Sequence, residues 1–79
     1  SMEHTIPNGA TVLVKKDIEV NDNEVGVFVH NNRPLVKRLR RNKDELFLTS
    51  DNKDYLPISV KEGDELFTVG KVVEVMWKL

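Results

Sequence analysis

The feature that most constrains this chain is the absence of a helical period. Its apolar residues come in short runs of Val, Leu, Ile and Phe, separated by Asn, Asp and Gly. Runs of that length bounded by turn-formers read as strands, so the fold class is mostly β. Strands are expected at Thr11–Lys15, Val25–His30, Leu35–Arg40, Glu45–Thr49 and Leu66–Lys78. Asn8-Gly9 and Asn21-Asp22-Asn23 supply turns before the first two, and Asn31-Asn32 closes a hairpin between the second and third. Asn42-Lys43-Asp44 does the same between the third and fourth. Pro57 lacks an N–H and argues against a central strand at Tyr55–Ile58. Five or six strands with short turns predict a strongly bent, small barrel-like sheet.

Seventy-nine residues make one thin domain. A chain of this size buries only about 60% of its unfolded surface. It has no cysteine, so neither a disulfide nor a thiolate metal site can brace it. His4 and His30 lack partners at metal-ligand spacing, and no glycine-rich phosphate loop is present, so no cofactor is indicated. The net charge of −1 makes the whole molecule no obvious polyanion binder. No apolar run approaches the roughly 20 residues of a membrane span, and no signal peptide is visible. A cytoplasmic protein without membrane contact is the expectation.

Two local features stand out. Arg33, Lys37, Arg38, Arg40, Arg41 and Lys43 are half of the chain's Lys and Arg, gathered into one short stretch. Such a run suits phosphate neutralisation, although it lacks interleaved aromatics for base stacking. The alternative is a strand kept from aggregating by its charge. Within the run, strand alternation puts Leu35, Lys37 and Leu39 on one face and Val36, Arg38 and Arg40 on the other. Lys37 thus sits on the more apolar face. A lysine withdrawn from water has a lowered pKa, and its neutral amine is a general base. The competing reading is a snorkelling lysine whose stem covers Leu35 and Leu39.

In the closing segment LFTVGKVVEVMWKL, Gly70 marks a bulge or bend. Beyond it Val73, Val75, Trp77 and Leu79 share a face opposite Val72, Glu74, Met76 and Lys78. Val73, Val75, Met76, Trp77 and Leu79 are assigned to a homodimer interface, since a terminal strand offers an edge to a second copy. The alternative is that they close the domain's own core.

The opening SMEHTIPNGATVLVKK resembles the nucleophile segment of the LexA and phage-repressor peptidases: a Ser-Met pair, a short turn ending in Gly, then an apolar strand. Ser1, Met2, Thr5, Ile6, Pro7 and Gly9 fall on that pattern. PLVKRLRR resembles the family's lysine strand, with Lys37 on its lysine and a typical spacing from Ser1. SDNKDYLPI and VGKVVEVMWKL resemble the two closing segments. The resemblance covers the chain in order.

It implies a LexA-type C-terminal peptidase domain spanning residues 1–79, of a host or prophage transcriptional repressor. Ser1 is then the nucleophile, Lys37 its base, and Met2 a support for the oxyanion. Leu35 and Leu39 desolvate the lysine. The substrate is the protein's own upstream cleavage segment. A helix-turn-helix domain reads operator DNA, and a recombinase filament activated on damaged DNA stimulates cleavage. Both the cleavage segment and that domain are expected to be missing here, so the fragment is not expected to cut itself. Ser1 is either the native nucleophile or a cloning remnant before Met2. Signal peptidases share the Ser-Met and lysine strands but need a membrane anchor and continue differently after the lysine. Two other functions remain: an oligomerisation domain that has lost cleavage, and a small β-domain that binds nucleic acid through residues 33–43.

Overall fold

Asn31 and Asn32 both take positive φ, 47° and 68°, between paired His30 and Arg33. Two left-handed residues in a two-residue loop make the hairpin turn that matches strand twist, and Asn tolerates that conformation best after Gly. The structure, a computed structural model, describes residues 1–77. In chain order its strands are β1 (Thr11–Lys16), β2 (Val25–His30), β3 (Arg33–Arg41), β4 (Leu46–Thr49), β5 (Ile58–Val60) and β6 (Leu66–Met76). No helix occurs among the described residues.

All six strands form one antiparallel sheet in the order β1-β6-β2-β3-β4-β5. The mostly-β expectation is met. β5 begins directly after Pro57 and lies at the sheet edge, where a residue without an N–H breaks no ladder.

The long last strand enters the sheet between β1 and β2, and two bulges bend it. Val69 is extra against β2 and Val73 is extra against β1. Gly70 lies between them, against Lys16 on one side and Val27 on the other. A Cβ there would stand 2.3 Å from the Lys15 carbonyl oxygen, so only glycine lets β1 approach this closely. The bulge also corrects the expected face pattern. Val72 and Val75, opposite Val14 and Val12, share a face, and Val73 drops out of the alternation.

Val20, Phe28, Leu39 and Leu48 form the buried core, with Leu35, Leu46, Ile58, Val60 and Leu66 packed against it. Leu39 faces Leu48 across β3–β4, and Leu35 faces Phe28 across β2–β3. Lys37 falls between these two leucines, on the same face of β3.

Candidate active site

β3 is flanked unevenly. β2 covers it from Arg33 to Arg38, whereas β4 covers only Arg38 to Arg41. On the β4 side, residues 33–37 therefore have no strand partner among the described residues. The start of the chain and the loop after β4 approach this stretch, and Lys37 meets both. Its Nζ donates to Ser1 Oγ at 3.0 Å and to Ser50 Oγ at 2.6 Å. The Tyr55 ring lies beyond, 5.6 Å from Nζ to its centroid.

Among the described residues Lys37 is the one charged side chain that is buried, at 6% exposure. Burial pushes its amine below the ordinary lysine range, and the Arg33 guanidinium pushes the same way. Both effects disfavour the ammonium form. The snorkelling alternative, with the amine in water, is not what this geometry describes.

Ser1 and Ser50 are brought to the lysine for different reasons. The turn after Ser1 is closed by the Ile6 N–H donating to the Met2 carbonyl at 2.7 Å. The Met2 side chain is buried, at 4% exposure, and roots that turn. The Ser1 carbonyl accepts from the Asn52 N–H at 2.9 Å. Ser50 follows from the hairpin register. β3 pairs Arg38 with Thr49 and Leu39 with Leu48, so the next pair along is Lys37 and Ser50. Opposed residues of an antiparallel pair share a face, which delivers the hydroxyl to the amine. The turn at Asn42-Lys43-Asp44 marks this hairpin in the sequence, and its register carried one residue past β4 is the signal for Ser50.

Beside the pair lies a groove of about 360 Å³, lined by Ser1, Met2, Val12, Leu35, Val36 and Lys37 among others. Leu39 is buried in the core behind the lysine and Leu35 is half-buried in the groove wall. Strand alternation turns the N–H and C=O of Val36 toward the uncovered side of β3.

The opposite face of β3 is also tied down. Arg38 Nε and Nη2 hold the two carboxylate oxygens of Asp51 at 2.9 and 2.7 Å, and Arg38 Nη1 donates to the Asn23 carbonyl at 2.7 Å. Thr5 Oγ1 donates to the same carboxylate. Arg40 lies 3.5 Å from Asp22. Two cations of the basic run are thus matched by acids, which removes them from a bare phosphate-binding stripe. His30, which has no partner at metal-ligand spacing in the sequence, pairs with Asp64 at 2.9 Å.

Of the residues assigned to a dimer interface, Val73, Val75, Met76 and Trp77 are exposed, as is Leu13 on neighbouring β1. They do not close the domain's own core. Leu79 lies outside the described residues.

An all-β domain with these features has relatives. The family model described as Peptidase S24-like matches residues 1–73. The LexA repressor of Thermosipho melanesiensis is 31% identical over 71 residues, 90% of this chain and 35% of that protein. The LexA repressor of Oleidesulfovibrio alaskensis is 31% identical over 68 residues, 86% of this chain and 33% of that protein. The chain spans about a third of the length of these relatives. It belongs to the Peptidase S24-like family, and its residues form a LexA-like peptidase domain.

Proposed function

We propose that this domain is the self-cleaving and dimerising part of a LexA-like transcriptional repressor, from a host or a prophage, and that it works as a serine endopeptidase through Ser1 and Lys37. The observation that carries the reading is the 3.0 Å approach of a buried lysine amine to a serine hydroxyl beside a groove. A base must lie within hydrogen-bond reach of the proton it takes, and must be neutral to take it. Both conditions are supported here, the second by the lowered lysine pKa.

The chemistry follows from those groups. Neutral Lys37 takes the proton of Ser1 Oγ as the oxygen attacks a peptide carbonyl. The ammonium then gives that proton to the departing amine, leaving an acyl-serine. Water, deprotonated by the regenerated amine, releases the acid product and restores the serine. Met2, next to the nucleophile, is the candidate support for the oxyanion. The substrate is an extended segment from upstream in the same protein, and the free side of β3 at Val36 offers it a backbone donor and acceptor.

The parent protein binds operator DNA through a helix-turn-helix domain outside these residues, acts in the cytoplasm, and responds to an activated recombinase filament. A second copy of this domain covers the exposed strip of Val73, Val75, Met76 and Trp77. No helix among the described residues is long and apolar enough to cross a membrane.

The test is a polypeptide that joins an upstream cleavage segment to this chain. Its self-cleavage rate should rise with pH through the lowered lysine pKa. Lys37→Ala and Ser1→Ala should abolish it, while Arg40→Ala should leave it nearly intact. Cleavage by the Lys37→Ala protein at alkaline pH would overturn the reading.

A further inference from the structure

The peptidase reading uses Ser1 and Lys37 and leaves the shortest contact of the lysine unexplained. That contact is the 2.6 Å bond to Ser50. We infer that Ser50 is a positioning residue for Lys37, holding the amine so that its lone pair faces Ser1 Oγ. The inference rests on the proposed Ser-Lys chemistry and adds a third group to it.

A neutral lysine amine has one lone pair and two N–H bonds, and its stem has four carbons. Without a fixed contact the amine rotates, and the lone pair meets the serine proton only part of the time. An acceptor at a second corner removes that freedom. When one N–H donates to Ser50 Oγ, rotation about Cε–Nζ is fixed and the lone pair is free for Ser1. The same hydroxyl accepts from the ammonium once the proton has moved, so it serves both halves of the proton transfer.

Ser50 is itself held. Its place opposite Lys37 follows from the β3–β4 register, and the next two residues anchor the loop. Asp51 is gripped by Arg38 and by Thr5, and the Asn52 N–H binds the Ser1 carbonyl. Three successive residues therefore tie the base, its strand neighbour Arg38, the opening turn and the backbone of Ser1 into one frame. Arg33 on its own strand acts on the amine, the Arg38–Asp51 pair holds the residue after Ser50, and Ser1 carries its α-amino group beside the hydroxyl in the chain itself; all are retained in the variants below. Ser1 and Tyr55 bring a hydroxyl and a ring.

Two measurements decide the matter. The first is the pH–rate profile of self-cleavage in the polypeptide that joins an upstream cleavage segment to this chain. Ser50→Ala should lower the alkaline plateau by about 10- to 100-fold. It should also move the midpoint to lower pH, because the ammonium loses an acceptor. Ser50→Thr, which keeps the hydroxyl, should recover most of both. The second is a 15N NMR titration of Lys37 Nζ in the chain itself, which reads the same midpoint shift without needing cleavage. A Ser50→Ala protein with unchanged plateau and unchanged Lys37 midpoint overturns the inference. So does a Ser50→Thr protein that folds with the wild-type thermal midpoint and recovers neither. If Lys37→Ala still cleaves, the peptidase reading falls, and the NMR titration still judges whether Ser50 holds the amine.

Discussion

Arg38 grips Asp51 with two parallel hydrogen bonds, Nε to Oδ1 at 2.9 Å and Nη2 to Oδ2 at 2.7 Å. Both side chains are largely withdrawn from solvent, at 26% and 15% exposure. This fork–fork geometry is the strong form of an ion pair. It fastens the loop that follows β4 to the middle of β3, 13 residues away.

Removing the guanidinium should therefore cost more than a surface pair does. Arg38→Met is expected to destabilise the domain by about 1–2 kcal/mol, since it leaves a largely buried carboxylate without its main partner. The pH dependence gives a second check. The Arg38 hydrogen bonds, and then Thr5, hold the Asp51 carboxyl below its usual value of 3.8. A depressed carboxyl contributes stability that is fully present above its unfolded pKa and is lost as pH falls through the folded one. Urea titrations of the wild type should show that loss beginning below about pH 4, and Arg38→Met should flatten it. An unchanged acid limb in the variant would sink the assignment.

Lys37 works in the opposite sense. Its folded pKa lies below the ordinary 10.5, chiefly because burial disfavours the ammonium. The fold carries that cost in full at pH values below the folded pKa. The cost shrinks as pH rises from there toward 10.5, and above 10.5 it is gone. Lys37→Met should accordingly raise stability at neutral pH by about 1 kcal/mol, because the variant no longer buries an amine that is charged there. Equilibrium unfolding at pH 7 and at strongly alkaline pH measures both ends. A variant less stable than wild type at neutral pH contradicts the account.

Gly70 carries a purely steric prediction. A methyl group there would meet the Lys15 carbonyl oxygen at 2.3 Å and the Lys15 carbonyl carbon at 2.9 Å, and both are backbone atoms. Backbone cannot swing aside as a side chain can, so Gly70→Ala should cost about 2–3 kcal/mol. Gly63→Ala has open space around it but a φ of +92°, so its cost should come from backbone strain instead and be smaller, about 1 kcal/mol. Chemical denaturation ranks the two. Hydrogen exchange in Gly70→Ala should show β1 losing protection first, because β1 is the edge strand that the methyl displaces.

Trp77 reports on association. Val73, Val75, Met76 and Trp77 leave the last strand exposed beside Leu13 of the edge strand β1. Under the proposed dimer, sedimentation should show a shift from monomer to dimer as concentration rises, and Trp77 fluorescence should move to shorter wavelength with it. Val75→Asp should abolish both changes while leaving the thermal midpoint of the dilute protein near wild type. A monomer at every concentration removes the interface.

Strand positions, the Asn31-Asn32 hairpin and the apolar face under Lys37 were legible in the residues, because each depends on neighbours a few positions apart. Alternation assigns faces, and Asn at a two-residue turn supplies the left-handed backbone that the turn needs. The family was legible through the resemblance of the segments around Ser1 and Lys37. What only tertiary structure decided was which distant groups meet. Alternation does not say that β6 threads between β1 and β2, nor that its bulge shifts Val73 out of register with Val75. The Thr5–Asp51 contact joins residues 46 apart, and the Lys37–Ser1 contact joins residues 36 apart. Such pairs are selected by how strands stack into a sheet and by which side of β3 is left uncovered, and neither is a local property of the chain. Ser50 lies between these cases: the hairpin register that brings it to Lys37 is local arithmetic, but the bond forms because the sheet buries the amine and leaves it that hydroxyl as a partner.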